Sequence, residues 1–378
     1  MKKIMLTFGT RPEAIKMAPL INELKKDASF HVFVCVTAQH REMLDQVLNL
    51  FNIDPDIDLD LMKKGQNLSS ITSSILEEIS KVLEKEKPDL VLIHGDTTTT
   101  FATSLACFYA GIPIGHVEAG LRTNNMLAPF PEEFNRQAAG LLAKYHFAPT
   151  TFTKHNLLKE GKDKDSIIVT GNTVIDALHM SLGKIESNKK LFESIVSYIN
   201  KAANIDILNQ KIILITGHRR ENFGSGFLQI CNAIKKLALE NQNINFVYPV
   251  HLNPRVQEPV NEILSNIKNI KLIEPLEYEK FIILLKFSYL VLTDSGGIQE
   301  EAPSLGKPVL VLRDVTERQE ALENGTVMLV GSSKDKIVKN VQMLIDNQNL
   351  YDEMSNASNP YGYGDASKKI IKFLKKRI

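Results

Sequence analysis

Short apolar runs alternate with amphipathic stretches along this chain. Residues 4–8, 31–36, 90–93 and 112–117 are largely apolar and β-rich on both faces, the pattern of strands buried inside a parallel sheet. Between them the apolar positions switch to helical spacing. Ile15, Ala18, Ile21 and Leu24 mark a helix over 13–26, and Pro19 inside it predicts a kink or a break into two pieces. Residues 42–50 read as a further helix. Ile71, Ile75, Ile79 and Val82 form one stripe of another, over 68–83. Runs at 145–148 and 167–169 continue the alternation. Strands that alternate with helices predict an α/β fold, with a parallel sheet covered on both faces.

The alternation pauses near Gly171-Asn172. The stretch from there to Gln210 is rich in Lys, Asn and Ser and reads as connecting helices. Strands then recur at 212–216, 245–248, 271–273, 289–293, 308–312 and 327–330. A turn-rich break over 359–364 precedes an amphipathic, basic helix over 366–376. The simplest architecture is two Rossmann-like, doubly wound domains facing a cleft. The length of 378 residues accommodates two such domains.

Composition narrows the classes of function. Lys and Arg number 45 against 44 Asp and Glu, so no global charge draws the protein to nucleic acid or a membrane surface. No apolar run approaches the ~18 residues of a membrane span. The start, MKKIMLTFGTRPEA, is not a signal peptide, because its apolar core stops at Phe8. Cys35, Cys107 and Cys231 are far apart and lie in apolar segments. They read as buried free thiols, which fits a reducing, cytoplasmic compartment.

The chemistry gathers where strands end. In open α/β sheets, ligands bind beyond the carboxyl ends of strands. The run 90–93 leads into His94-Gly95-Asp96, and 112–117 leads into Glu118 through Arg122. Asp96 and Glu118 thus point to one crevice. Pro131-Glu132-Glu133 follows as a helix start, where acids are also favoured simply as caps; Glu133 is equally compatible with capping alone. Asp294-Ser295-Gly296-Gly297 opens a helix directly after a strand, and its free amides suit an anion such as phosphate. Glu301, about a turn into that helix, suits ribose hydroxyls. Gly9-Thr10-Arg11 makes a similar turn in the first domain, with Arg11 placed to reach an anion. His218, Arg219 and Arg220 follow another strand, as do Arg313 and Arg318. Guanidinium groups bind phosphate oxygens bidentately. Arg122 and Arg136 stand beside the carboxylate loops. His251 sits at a strand end and lines the expected cleft. His94 orients its loop, and His116 precedes Val117-Glu118. His31, His146 and His155 read as structural. No GxGxxG, HExxH or GxSxG is present, which argues against bound NAD, a zinc protease site and a serine hydrolase.

Ten strings in order carry a resemblance. They are GTRPEAIKMAP from Gly9, TAQHREMLDQVL from Thr37, HGDTTTT from His94, GHVEAGLRT from Gly115, PFPEEFNRQ from Pro129, TGNTVIDAL from Thr170, GHRREN from Gly217, YPVHLNP from Tyr248, DSGGIQEEAPSLGKPVLVLRD from Asp294 and NPYG from Asn359. Together they resemble the non-hydrolysing UDP-N-acetylglucosamine 2-epimerase family over essentially the whole chain. The resemblance implies the GT-B architecture, with 1–171 plus 361–378 as a first domain carrying carboxylates and 172–360 as a UDP-binding domain. It implies interconversion of UDP-GlcNAc and UDP-ManNAc by elimination of UDP to 2-acetamidoglucal and re-addition, with no cofactor and no metal. Asp96, Glu118 and Glu132 match the family's catalytic carboxylates and His218 its catalytic histidine. Arg136 matches an arginine linked to activity and is placed to steady Glu132. Arg11, His218, Ser295, Gly296, Gly297, Glu301 and Arg318 match positions around UDP, and Lys16 and His251 are further substrate-binding candidates. Gln39, His40, Arg219 and Glu221 match a second site for a UDP-GlcNAc effector. Glu42 and Gly65 depart from the family pattern there, Gly65 standing where an arginine is frequent. A homodimer is also implied.

Other readings share the fold. A GT-B glycosyltransferase has the same donor site but needs an acceptor site and no set of three carboxylates. An epimerase for another UDP-sugar differs only in the pocket. A hydrolysing relative releases free sugar, and a non-catalytic sensor has no use for the carboxylates.

Overall fold

The structure, a computed structural model, describes residues 1–38, 41–61, 65–217, 219 and 222–378, with backbone alone at 41–43. The chain forms two compact units, Met1–Met180 with Tyr361–Ile378, and Ser181–Pro360. Among the described residues no helix is long and apolar enough to cross a membrane.

The first unit is built on a seven-stranded parallel sheet. Its strands are β1 (Lys2–Phe8), β2 (Phe30–Val36), β3 (Ile57–Asp58), β4 (Leu90–His94), β5 (Ile114–Val117), β6 (Tyr145–Ala148) and β7 (Ile167–Val169), in the order β3-β2-β1-β4-β5-β6-β7. The order reverses between β1 and β4, the switch point where α/β sheets open a crevice. β3 escapes the sequence pattern because it is a two-residue edge strand, only half buried. Met5, Cys35, Val91, Ile93 and Ile114 on the sheet pack against Ile75, Ile79, Ala102 and Cys107 on the helices. Each fully buried aliphatic side chain of this kind contributes roughly 1.5–3 kcal/mol.

The second unit repeats the plan with six parallel strands: β8 (Ile212–Thr216), β9 (Asn245–Pro249), β10 (Ile270–Ile273), β11 (Leu290–Thr293), β12 (Val309–Val311) and β13 (Val327–Leu329). Their order is β10-β9-β8-β11-β12-β13, with its own reversal between β8 and β11. Ile213, Ile215, Leu292 and Leu310 pack against Phe227, Ile234 and Val341 from the helices. The three cysteines are free and buried, and burial pushes each thiol up to about 12.

Two expectations are corrected. The helix Arg11–Lys25 runs unbroken through Pro19. A proline removes its own amide bond and crowds the carbonyl four residues earlier, yet the helix continues past it, with Pro19 and its neighbours Met17, Ala18, Leu20 and Ile21 all buried. The boundary expected at Gly171 falls instead after Met180. The Asp176 carboxylate accepts the amides of Ala366 and Ser367 at 3.1 and 2.8 Å. It thereby ties the start of the helix Thr173–Ser187 to the C-terminal helix Ala366–Arg377.

Candidate active site

β1, β4 and β5 are neighbours in the first sheet, so their ends deliver Gly9–Arg11, Asp96 and Glu118 to one edge. Glu13 organises the first of these turns. Its Oε2 accepts the Gly9 and Thr10 amides at 3.0 and 2.8 Å, and the Thr10 hydroxyl at 2.8 Å. Its Oε1 takes the Thr97 hydroxyl at 2.6 Å. One buried carboxylate therefore spans the turns after β1 and β4. Burial raises its pKa, against the opposing effect of these hydrogen bonds.

Glu118 adopts φ +64°, a left-handed conformation that costs a non-glycine residue on the order of 1–3 kcal/mol and clusters at functional sites. Lys16 forms an ion pair with Glu118 Oε2, and Asn172 Nδ2 donates to the same oxygen at 2.6 Å. His94 Nε2 stands 3.9 Å from it. His94 and His116 are buried; desolvation depresses each to about 4 and keeps both rings neutral. His116 Nε2 meets the Gly95 carbonyl at 2.7 Å.

Asp96 lies just past β4. Arg136 donates to its Oδ2, and Asn135 Nδ2 donates to its carbonyl at 2.9 Å. Burial raises the Asp96 pKa; Arg136 opposes the rise and the charge of Glu118 adds to it. Arg136 also stands 3.5 Å from Glu133 Oε2. The expectation that Arg136 steadies Glu132 is thus corrected: the guanidinium is paired with Asp96 and Glu133. Glu133 itself is fully buried and accepts the amides of Thr123 and Asn124 at 3.0 and 3.1 Å, so it shapes the loop after β5. Glu132 begins the helix Glu132–Leu142, and its buried Oε2 has no hydrogen-bond partner among the described residues. Arg122 holds Glu160 bidentately at 2.6 and 2.9 Å. Arg11 is the first residue of its helix and is half-buried.

In the second unit β11 ends in Asp294, which is buried and accepts the Arg219 amide at 2.8 Å. The Ser295 amide donates to the Thr293 hydroxyl at 2.9 Å. Gly297 caps the helix Ile298–Ser304. Glu301 is buried, with Oε1 accepting the Tyr278 hydroxyl at 2.7 Å. The Arg318 guanidinium lies over Gly296, so close that a Cβ there would stand 2.7 Å from Nη1. Glu300 and Glu317 hold Arg318 in place. Burial acts to raise the Glu317 carboxyl, but Arg318 and Arg313 outweigh it and keep it far below its usual range. Ser295, Gly296, Gly297, Glu301 and Arg318 are therefore local neighbours. His251 follows β9 as an exposed side chain whose Nδ1 accepts the Asn253 amide at 3.1 Å. His146 is buried, whereas His31 and His155 are exposed. His218, Gln39, His40 and Glu221 lie outside the described residues.

Two residues that shape the site were not singled out from sequence. Glu13 had a visible signal, since Thr10 and Glu13 have capping-box spacing. Asn172 had another, an Asn just before a helix.

Two doubly wound sheets in Rossmann order, each with polar groups at its switch point, place the protein in the GT-B class of α/β enzymes. The profile of the UDP-N-acetylglucosamine 2-epimerase family matches residues 22–375. A UDP-N-acetylglucosamine 2-epimerase of Campylobacter jejuni is 56% identical over 373 residues, covering 99% of this chain and 97% of the relative. The Escherichia coli K12 enzyme of that name is 56% identical over 375 residues, covering 99% and 98%. The crystal structure of the Neisseria meningitidis UDP-GlcNAc 2-epimerase bound to UDP-GlcNAc superposes with a TM-score of 0.93 at 53% identity, covering 99% of this chain and 100% of that one. The chain belongs to the UDP-N-acetylglucosamine 2-epimerase family and is an enzyme of that family.

Proposed function

We propose that the protein interconverts UDP-GlcNAc and UDP-ManNAc. The observation that carries this reading is the pair of carboxylates at neighbouring strand ends, Asp96 held by Arg136 and Glu118 held by Lys16 and Asn172. Inversion at carbon 2 needs one group to take the proton and another to return it to the opposite face. Carbon 2 is not adjacent to a carbonyl, so its proton is weakly acidic and its removal must be coupled to loss of a leaving group. In the proposed step the C2–H electrons form the C1=C2 bond of 2-acetamidoglucal as the C1–O bond breaks and UDP leaves. Re-addition of UDP at carbon 1 accompanies protonation of carbon 2 from the other side. Atoms and charge balance without a nicotinamide or a metal.

Asp96 suits the base, because burial raises its affinity for a proton. Glu118 or Glu132 returns the proton, and His218 assists. Ser295, Gly296, Gly297, Arg318 and Arg11 bind the diphosphate through helix amides and guanidinium groups, which meet the largest electrostatic demand of the departing UDP. Glu301 takes the ribose hydroxyls, and His251 and Lys16 complete the contacts with substrate. The first unit supplies proton chemistry and the second binds nucleotide. UDP-GlcNAc bound in relatives from Neisseria meningitidis and Methanocaldococcus jannaschii supports this substrate class. The proposal extends to a UDP-GlcNAc effector near Gln39, His40, Arg219 and Glu221, to a homodimer, to a cytoplasmic location, and to supply of ManNAc units for surface polysaccharide.

The test is proton NMR of purified protein with UDP-GlcNAc in deuterated water, without added cofactor. UDP-ManNAc carrying deuterium at carbon 2 is expected. Substrate that stays unlabelled, with and without added effector, overturns the reading; release of free sugar replaces it with hydrolysis.

A further inference from the structure

We infer that Asn172 is a positioning residue for Glu118. The inference rests on the reading of Glu118 as a reacting group. Asn172 is 2% exposed and stands just before the helix Thr173–Ser187. Its Oδ1 accepts the Val174 amide at 3.0 Å. That bond settles which way the side-chain amide points, so the group facing Glu118 is Nδ2, a donor, at 2.6 Å from Oε2. The Asn172 backbone amide donates to the Tyr361 carbonyl at 2.8 Å, which fixes the residue from behind. Lys16 reaches the same carboxylate oxygen. A charge and an amide converging on Oε2 fix the rotation of the carboxylate. Such restraint matters here, because the Glu118 backbone is held in the left-handed region and any slackness would let the side chain swing.

Lys16 alone does not give this restraint. An ammonium is a point charge on a flexible stem, whereas a capped asparagine is rigid. The groups facing Glu118 are Lys16 from its helix, His94 from β4, Asp96 past β4 and His116 from β5. Asn172 supplies a neutral donor among them, so it orients the carboxylate without adding charge.

The experiment uses Asn172→Asp in the full chain. Aspartate caps a helix as well as asparagine does, so the Val174 bond survives and only the face toward Glu118 changes from donor to acceptor. Two carboxylates in hydrogen-bond contact cannot both ionise, and one of them gains a proton. The pH profile of kcat for carbon-2 deuterium exchange is measured for wild type, Glu118→Gln and Asn172→Asp. Glu118→Gln is the control for loss of exchange, and one limb of the wild-type profile is expected to move to higher pH in Asn172→Asp by about one unit or more. Asn172→Ser keeps a capping oxygen and loses the amide donor. It is expected to lower kcat about tenfold or more, the loss of one hydrogen bond to a charged group, with KM changed less than about twofold. A profile that superimposes on wild type, or a rise in KM at constant kcat, overturns the inference, as does loss of cooperative melting in Asn172→Asp. If Glu118→Gln leaves exchange intact, the reading of Glu118 fails and takes this inference with it. If Glu118→Gln abolishes exchange while both Asn172 variants match wild type, only the inference falls.

Discussion

Replacing Arg136 by methionine removes a charge but keeps much of the side-chain length, and the structure gives the size of the effect. Arg136 is the cation paired with Asp96, with side-chain exposures of 7% and 27%. Without it, Asp96 retains two influences, burial and the charge of Glu118, and both raise its pKa. Breaking a buried pair by removing one partner costs roughly 3–5 kcal/mol. Water reaches about a quarter of Asp96, so the low end, about 3 kcal/mol, applies. A base acts in its ionised form. The acid limb of the rate of carbon-2 deuterium exchange should therefore move to higher pH in Arg136→Met. Glu133 keeps the Thr123 and Asn124 amides and Gln137, so the loop after β5 stays in place and the fold is retained. Arg136→Lys should recover part of the shift. An acid limb at its wild-type position, with the rate lowered equally at every pH, would refute the pairing as the determinant of Asp96 ionisation.

Further outcomes follow from individual contacts. Gly296→Ala places a Cβ 2.7 Å from Arg318 Nη1 and 2.9 Å from Cζ; overpacking of about 1–3 kcal/mol should weaken UDP about tenfold by calorimetry, and unchanged affinity would show that Arg318 is free to move aside. Glu13 has a pKa raised above its usual 4.5 in the folded protein, so the native state binds more protons than the unfolded one. Its contribution to stability accordingly falls as pH rises from that value through the raised one; urea unfolding at several pH values should lose this component in Glu13→Gln, and superimposable curves would count against it. Asp176→Ala leaves two buried amides without an acceptor, at about 1–3 kcal/mol each. It should lower the urea midpoint and expose the C-terminal helix to protease, whereas Asp176→Asn, which keeps an oxygen, should be milder.

The strands were legible where they are buried on both faces, because runs such as Leu90–His94 and Ile212–Thr216 are apolar throughout. Ile57–Asp58 was not, since one half-buried and one exposed residue on an edge carry no period. The groups at strand ends were legible as candidates, because polar residues that interrupt apolar runs mark where a parallel sheet meets solvent. Their pairing was not. Arg136 is one helical turn from both Glu132 and Glu133 in sequence, and only the packing of the helix Glu132–Leu142 directs it to Asp96. The use of Asn172 by Glu118 joins residues far apart in the chain, a contact no local pattern encodes. Pro19 shows the converse, a local rule that this buried helix does not follow.

The return of the chain to its first unit also bears on how the molecule is made. The helix Ala366–Arg377 packs on the helix Arg11–Lys25, Lys375 pairs with Asp27 at 2.8 Å, and Phe373 sits edge-on against Tyr145 and Phe147. Ribosomes extend a chain at about 5–20 residues per second and domains fold as units. Ser181–Pro360 is thus fully synthesised while Met1–Met180 still waits for its last helix. A chain without that helix leaves uncovered the side of the helix Arg11–Lys25 on which it packs. The first unit is therefore completed only by a segment that follows the whole of the second in the chain.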